Sequence, residues 1–273
     1  MKLVDIIAGA RPNFIKVSPI IKSLKEKQKL GNSNLRFRLI HTGQHYDKKM
    51  SNDFFNQLGI PDPNINFNVG SGSQAEQTSA IMIAYEKLLL KKPSDLCLVV
   101  GDVNSTLACS ISAKKLSIPV AHVEAGLRSG DLSMPEEINR ILTDSITDFF
   151  FTTSSYANEN LIRSGVPSKN IFFVGNTMID TLKENLNKLI EPKIFKTLNK
   201  KKYLVLTLHR PSNVDNSTNL INILKELSQA AKGLEILFPV HPRTAKILKK
   251  INFHPKNVKF LDPLSYLEFI FIV

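Results

Sequence analysis

Short apolar runs alternate with longer segments of helical periodicity along most of the chain, and this alternation constrains the fold more than any other feature. The apolar runs predict strands near residues 2–8, 36–41, 96–100, 119–124, 148–152, 171–174, 203–208, 234–240 and 258–261. Strands that are separated by helices pair in parallel, because each helix carries the chain back across a face of the sheet. The pattern therefore predicts an α/β fold built on doubly wound parallel sheets.

A polar, lysine-rich stretch at about residues 185–202 separates the first six predicted strands from the last three. We expect a boundary there, with one domain over residues 1–185 and a second over residues 186–273. The first domain has enough strands for a complete doubly wound sheet. The second has three strands and stops within the apolar run 270–273, so we expect it to be incomplete, as in a C-terminally truncated chain.

Composition predicts a globular protein without a membrane partner. The chain has 273 residues, 42% of them hydrophobic, and no window approaches the roughly 18 apolar residues of a transmembrane helix. Asp5 interrupts the N-terminal apolar run, which is unlike a secretory signal, so we expect a cytoplasmic protein. Cys97 and Cys109 lie in apolar segments, where reduced structural thiols are more typical than a disulfide or a metal site.

The net charge of +12 comes mainly from lysines scattered along predicted helices and connections. A nucleic-acid-binding chain more often interleaves arginine with aromatic residues or contains a known module, and neither pattern occurs, so we expect no nucleic-acid partner. The charge is compatible with a phosphorylated substrate. The sequence contains no dinucleotide or P-loop fingerprint and no HExxH or CxxC pair, which argues against NAD, P-loop and metal chemistry.

Three acidic residues lie where predicted strands end or a predicted helix begins. Asp102 follows the strand 96–100, Glu124 ends the next strand, and Glu136 opens a helix a short loop later. The carboxyl ends of parallel strands form the edge at which open α/β sheets bind their ligands. The placement of these acids predicts acid–base chemistry.

Each acid also has a structural interpretation when it is considered alone. Asp102 can cap the helix that opens at Asn104, which is a common role for aspartate. Glu124, at the end of a buried strand, needs a partner or a function, and a salt bridge with Arg128 would satisfy it. Glu136 is an ordinary residue for a first helical turn.

Basic residues near other predicted strand ends favour an anionic ligand. Arg11 and Lys16 lie near the start of the first helix, where free backbone N–H groups also attract phosphate, although both side chains can equally extend into water. Two further basic pairs close strands of the second domain: His209 with Arg210, and His241 with Arg243.

Taken together, these motifs resemble the UDP-N-acetylglucosamine 2-epimerase family of the non-hydrolysing bacterial type. The resemblance extends along essentially the whole chain and is most specific between residues 122 and 140. It rests on residues 11–16 (RPNFIK), 43–45 (GQH), 101–102 (GD), 122–128 (HVEAGLR), 135–140 (PEEINR), 175–177 (GNT), 209–210 (HR) and 239–242 (PVHP).

The resemblance implies two Rossmann-like domains in a GT-B arrangement that hold a UDP-sugar between them, without a redox cofactor. It implies reversible interconversion of UDP-GlcNAc and UDP-ManNAc for surface polysaccharide synthesis. In this reaction UDP is eliminated to give 2-acetamidoglucal and is added back after protonation on the other face. The resemblance also implies a homodimer.

Residue roles follow from the same resemblance. The C2 proton is weakly acidic, so its removal needs a positioned base, and inversion needs an acid on the opposite face. Asp102, Glu124 and Glu136 match the family's catalytic acids, with the individual roles left open, and His209 matches a residue that supports elimination. The expected substrate-binding residues are Arg11, Lys16, Arg210, His241 and Phe269, the last of which matches a position in the uridine pocket.

The sequence departs from the family at two places. The family continues beyond residue 273 with residues that hold UDP, so we expect weak UDP binding. Gln44 is kept at the site where many members bind an activating UDP-GlcNAc, but Asp47 and Pro211 replace residues used there, which argues against activation. The alternatives are a hydrolysing epimerase that releases UDP and ManNAc, a GT-B glycosyltransferase, and an inactive truncated remnant.

Overall fold

The computed structural model of the protein describes residues 1–31, 34–43, 55, 57–198, 202–208, 211–251, 253 and 255–273. The chain divides into two units, Met1–Glu184 and Asn185–Val273. The division falls in the last turn of a helix that runs from Thr177 to Asn185.

The first unit is built on a seven-stranded sheet in which neighbouring strands pair in parallel. The order across the sheet is β3-β2-β1-β4-β5-β6-β7, so the direction of winding reverses between β1 and β4. The predicted α/β fold with a parallel sheet is confirmed. The strands are β1 (Lys2–Ala8), β2 (Leu35–His41), β3 (Ile65–Asn66), β4 (Leu96–Val100), β5 (Val120–Val123), β6 (Phe149–Thr152) and β7 (Ile171–Phe173).

The register of the central strands brings their carboxyl ends together. Ile6 of β1 lies beside Leu98 of β4, and Val100 of β4 lies beside Val123 of β5. The segments that follow β1, β4 and β5 therefore emerge at one edge, next to the reversal of winding. Ligand sites of open α/β sheets form at this position.

Helices connect these strands. α1 starts with a proline in its first turn and ends with lysines in its last, both of which suit the exposed backbone groups and dipole of a helix terminus. The helices of the first unit are α1 (Arg11–Lys29), α2 (Gln74–Lys91), α3 (Asn104–Lys115), α4 (Pro135–Ile146), α5 (Ser155–Arg163) and α6 (Thr177–Asn185).

The core of the first unit lies between the central strands and the helices that pack on them. One cluster of buried side chains joins Ile7, Tyr85, Val99, Cys109 and Val120 with their neighbours. Burial raises the pKa of the Cys97 thiol to about 12, so it stays protonated. Both cysteines are free and buried, which suits a structural role.

The second unit is a smaller parallel sheet with the order β10-β9-β8. Its core joins Leu220, Leu224, Phe238 and Val258. The elements are β8 (Tyr203–Val205), α7 (Pro211–Val214), α8 (Ser217–Ala230), β9 (Glu235–Pro239), α9 (Pro242–Ile251), β10 (Val258–Leu261) and α10 (Tyr266–Ile272).

The polar stretch that we expected to separate the domains belongs to the second unit. A 3₁₀ helix spans Lys193–Leu198, and Leu198 is buried against Leu237 and Ile272. The many lysines made this stretch look polar in the sequence, although it also contains apolar residues that are buried.

Two strands differ from the prediction by more than one residue at an end. β3 was not predicted, because a two-residue strand has no periodicity, and it exists through pairing of Ile65 with Ile40 of β2. β8 was predicted to reach residue 208 but ends at Val205, where its pairing with β9 ends. Among the described residues, no helix combines the length and the apolar character needed to cross a bilayer.

A buried ion pair ties β1 to β2. Arg38 donates from Nε and Nη2 to the two carboxylate oxygens of Asp5, at 2.7 Å each, and Asp5 is fully buried. The hydroxyl of Tyr85 donates to the same carboxylate at 3.0 Å, and Arg38 also donates to the Lys92 carbonyl. Every strong acceptor in this cluster therefore has a donor, which a buried charge requires.

We predict that Arg38→Ala lowers the unfolding free energy of the first unit by about 3–5 kcal/mol, because it leaves the Asp5 carboxylate buried without its cation. Urea denaturation followed by circular dichroism measures the change. Arg163→Ala is the matched control, since it removes an exposed ion pair with Glu159 and should cost about 0.5 kcal/mol or less. An equal loss in both variants would contradict the prediction.

Candidate active site

The site lies at the edge where β1, β4 and β5 end. The chain leaves β1 toward α1, leaves β4 through Gly101 and Asp102, and leaves β5 through Glu124. The parallel register places these three departures side by side. The structure thus brings Lys16, Asp102 and Glu124 to one edge of the first unit.

Glu124 forms an ion pair with Lys16. The Lys16 Nζ donates to Glu124 Oε2, and the two side chains are only 11% and 16% exposed. The predicted salt bridge between Glu124 and Arg128 is therefore wrong, and so is the interpretation of Lys16 as a side chain extending into water. Sequence separation concealed the pair, because the partners are 108 positions apart in the chain.

Glu124 also has an unusual backbone conformation. Its φ of 74° lies in the left-handed region, which costs a residue with a Cβ roughly 1–3 kcal/mol. The neighbouring Gly101 also has a positive φ, and a Cβ there would lie 2.8 Å from the Lys16 Nζ and 3.3 Å from Glu124 Oε2. Gly101 thus leaves the space that the ion pair occupies.

Asp102 pairs with Arg140 of α4. The Arg140 Nη2 donates to Asp102 Oδ2, and the Asn139 Nδ2 donates to the Asp102 backbone carbonyl at 2.9 Å. The capping interpretation of Asp102 is wrong, because the N-cap of α3 is Val103, without a side-chain cap. Asp102 is instead held at its side chain and at its backbone by the same turn of α4.

The two adjacent glutamates of α4 have opposite environments. Glu137 is buried and accepts hydrogen bonds from the backbone N–H groups of Ser129 and Gly130 and from Arg140 Nη1. Burial raises the pKa of Glu137, but these donors together outweigh burial and hold the pKa below its usual value. Glu136 is exposed, and its carboxylate has no hydrogen bond or ion pair with any described residue.

A buried polar network lies beneath the two carboxylates. His122 Nδ1 is 2.7 Å from Asp144 Oδ1, and His122 Nε2 is 2.8 Å from the Gly101 carbonyl oxygen. Asp144 Oδ2 accepts from Gly126 N at 3.1 Å and from Arg128 Nη1 at 2.7 Å. Burial tends to raise the pKa of Asp144, but hydrogen bonds and charge from His122 and Arg128 outweigh it and lower the pKa.

Asn13 connects α1 to β4. Its Oδ1 accepts from the backbone N–H groups of Gly9 and Ala10, at 3.0 and 2.9 Å, and its Nδ2 donates to the Val100 carbonyl at 3.0 Å. This buried amide fixes the start of α1, and thereby Lys16, against the end of β4.

The other predicted site residues are more dispersed. Arg11 is exposed in the first turn of α1. In the second unit, His241 is exposed just after β9, and Phe269 of α10 packs on the cluster that contains Leu198. His209 and Arg210 lie outside the described residues, as do Gln44 and Asp47.

Sequence reasoning missed the residues that hold the acids in place: Asn13, His122, Glu137, Arg140 and Asp144. One signal was available, since Glu137, Arg140 and Asp144 are spaced to share one face of α4. That face is turned inward, whereas the apolar Ile138, Ile141 and Leu142 are exposed. An ordinary amphipathic interpretation of α4 would therefore have placed the wrong face in the core.

The adjacent residues Glu136 and Glu137 give a matched prediction about how stability depends on pH. Because the folded-state pKa of Glu137 is lowered, its contribution to stability is fully present above its usual pKa of 4.5 and is lost as pH falls below that value. We expect Glu137→Gln to lower the unfolding free energy by about 1–3 kcal/mol at neutral pH, since buried donors lose their acceptor. On acidification, the variant should lose less additional unfolding free energy than the unsubstituted protein does.

Urea midpoints measured from neutral pH down through 4.5 test this expectation. Glu136→Gln is the control, because an exposed carboxylate that has no partner among the described residues should leave both the midpoint and its pH dependence unchanged. Similar behaviour of the two variants would contradict the assignment of Glu137 as the buried anchor.

The comparisons with known proteins agree on one family. The family model for UDP-N-acetylglucosamine 2-epimerase matches residues 28–273. The UDP-N-acetylglucosamine 2-epimerase of Methanocaldococcus jannaschii is 43% identical over all of this chain and 76% of its own length. The UDP-N-acetylglucosamine 2-epimerase homolog of Methanococcus maripaludis is 46% identical, with the same coverage. The chain thus spans about three quarters of these relatives.

Solved structures give the same result. The crystal structure of Methanocaldococcus jannaschii UDP-GlcNAc 2-epimerase in complex with UDP-GlcNAc and UDP superposes with a TM-score of 0.87 at 42% identity, over all of this chain and 76% of that one. The Neisseria meningitidis UDP-GlcNAc 2-epimerase bound to UDP-GlcNAc superposes with a TM-score of 0.85 at 28% identity, over 75% of its length. With the family model and these relatives in agreement, the chain belongs to the UDP-N-acetylglucosamine 2-epimerase family, a family of isomerases.

Proposed function

We propose that this protein catalyses the reversible C2 epimerisation of UDP-GlcNAc to UDP-ManNAc without net hydrolysis. The observation that carries the proposal is the pair of carboxylates, Asp102 and Glu124, at adjacent strand ends, each joined to its own cation. Acid–base chemistry at a carbon centre needs two such groups, so that one removes a proton and the other delivers one. Family membership supplies the substrate class.

The proposed reaction proceeds by elimination and re-addition. A carboxylate takes the C2 proton, the electron pair forms the C1–C2 double bond, and the C1–oxygen bond breaks, releasing UDP and leaving 2-acetamidoglucal. A proton is then delivered to C2 on the opposite face, and a UDP oxygen re-forms the bond to C1. Atoms and charge balance without a redox cofactor. Which carboxylate acts on which face is left open.

The ion pairs suit this chemistry because they orient the carboxylates and compensate their charge as protons move. Lys16 contacts Glu124 and Arg140 contacts Asp102, so each acid has a fixed electrostatic environment. Because Lys16 is already paired with Glu124, the exposed Arg11 is the better candidate to bind the diphosphate of the substrate. This modifies the equal roles that the resemblance gives to the two cations.

The remaining roles stay predictions. We propose Glu136 as the third acid, because it is exposed on the same helix turn that holds Asp102. His209 and Arg210 are proposed from the resemblance alone, together with the uridine contact of Phe269 and an anion contact of His241. The homodimer, the cytoplasmic location and the use of the product for surface polysaccharides also remain predictions.

One relative favours a test of a second substrate. The UDP-2,3-diacetamido-2,3-dideoxy-D-glucuronate 2-epimerase of Pseudomonas aeruginosa is 37% identical over all of this chain. Its named substrate is also a UDP-linked 2-acetamido sugar, so the same C2 chemistry applies. Assaying both sugars with the same enzyme preparation identifies the preferred one.

We predict that incubation with UDP-GlcNAc in D2O gives UDP-ManNAc and deuterium at C2 of both sugars, because the C2 proton exchanges with solvent during each turnover. Proton and phosphorus NMR follow the reaction. Accumulation of UDP with free ManNAc would identify a hydrolysing epimerase, and transfer to an acceptor without C2 exchange would identify a glycosyltransferase. Nucleotide binding without turnover would identify an inactive remnant.

Substitution of either paired acid should abolish most of this exchange. We expect Asp102→Asn and Glu124→Gln each to lower kcat by about 10²–10⁴-fold, which is the usual contribution of a general acid or base. A slowed variant should also release 2-acetamidoglucal and UDP in equal amounts. Glu159→Gln, an exposed carboxylate of α5, is the control and should retain full activity. Unchanged exchange in both acid variants would contradict the proposed site.

A further inference from the structure

We propose that His122 is a positioning residue that holds the segments carrying Asp102 and Glu124 in register with one another. This inference rests on the proposed function, because it concerns the same two carboxylates. His122 lies in β5, two residues before Glu124, and its ring is completely buried. It touches neither carboxylate in the structure and acts through the backbone on both sides.

One ring nitrogen reaches the segment that carries Asp102. His122 Nε2 lies 2.8 Å from the carbonyl oxygen of Gly101, the residue immediately before Asp102. The opposite side of Gly101 faces the ion pair, since a Cβ there would meet Lys16 and Glu124. His122 therefore supports the turn from beneath, and a movement of Gly101 would displace both Asp102 and the ion pair.

The other ring nitrogen reaches the segment that follows Glu124. His122 Nδ1 lies 2.7 Å from Asp144 Oδ1, and the second oxygen of Asp144 accepts from the Gly126 N–H and from Arg128. Gly126 has a positive φ, and a Cβ there would collide with the Ala157 carbonyl, so the loop packs closely on this residue and needs a glycine. The ring and Asp144 together fix the chain on the far side of Glu124.

Both contacts require His122 to donate. The Gly101 carbonyl can only accept, and Asp144, which already accepts from Gly126 and Arg128, accepts as a carboxylate. Neutral imidazole has a single N–H and would turn a lone pair toward one of these oxygens. The geometry therefore assigns a donor role to each ring nitrogen, one toward the Gly101 carbonyl and the other toward Asp144.

The test compares two substitutions that each keep one half of the ring's contacts. The amide of Asn can occupy the place of Nδ1 and keep the bond to Asp144, whereas the longer Gln can reach the place of Nε2 and keep the bond to Gly101. We expect His122→Asn to lower kcat for C2 exchange by on the order of 100-fold, the cost of a small misplacement of catalytic groups. KM should stay nearly unchanged, and His122→Gln should recover part of kcat because Asp102 stays supported.

Val120→Ala is the matched control, since Val120 lies in the same strand and is fully buried in the apolar core. It should reduce stability without a specific loss of kcat. If the two His122 variants lost activity only in proportion to their unfolded fraction, as Val120→Ala does, His122 would be merely structural and the proposal would be overturned.

NMR tests the role of His122 without any measurement of enzyme turnover. In the unsubstituted protein, both ring nitrogens of His122 should show protected N–H signals, and the carboxylate carbon signals of Asp102 and Glu124 should move in His122→Asn but not in Val120→Ala. A single protonated ring nitrogen, or unmoved carboxylate signals, would overturn the inference. Absence of C2 exchange in the unsubstituted protein would instead refute the proposed function, with the NMR result still deciding the role of His122.

Discussion

The parallel pairing of β1, β4 and β5 is the constraint on which the site depends. Because all three strands run in the same direction, the residues that follow them emerge at one edge of the sheet, however far apart they lie in the chain. Asp102 and Glu124 become neighbours in this way, and α1 brings Lys16 to them. The glycine after β4 completes the arrangement, since any larger residue at Gly101 would occupy the place of the ion pair.

The buried carboxylates that the structure describes in the first unit are all compensated by neighbouring donors and cations. Ionised groups that leave water must recover their hydration through hydrogen bonds and opposite charges. Asp5, Glu137 and Asp144 each meet this need with several donors, and the lowered pKa values of Glu137 and Asp144 reflect it. Glu136 is the contrast, because it is exposed and without such partners among the described residues.

Much of the fold could be predicted from the sequence because strands in a parallel sheet are buried on both faces and read as apolar runs. β4 and β5, at Leu96–Val100 and Val120–Val123, were found in this way, and so was the placement of Asp102 and Glu124 at their ends. The partners of those acids were not predicted. Arg128 is close to Glu124 in sequence yet pairs with Asp144, whereas Lys16 is distant in sequence and pairs with Glu124.

The sequence by itself determined the class of fold, the family and the positions of two acids, because these follow from local periodicity and from short motifs. Only the tertiary structure decided which cation each acid meets, that Glu137 is buried while Glu136 is exposed, and that His122 contacts both the Gly101 carbonyl and Asp144. The physical reason is that an ion pair or a buried hydrogen bond depends on distances across the sheet. Those distances are fixed by strand register and helix orientation, which no local pattern of residues records.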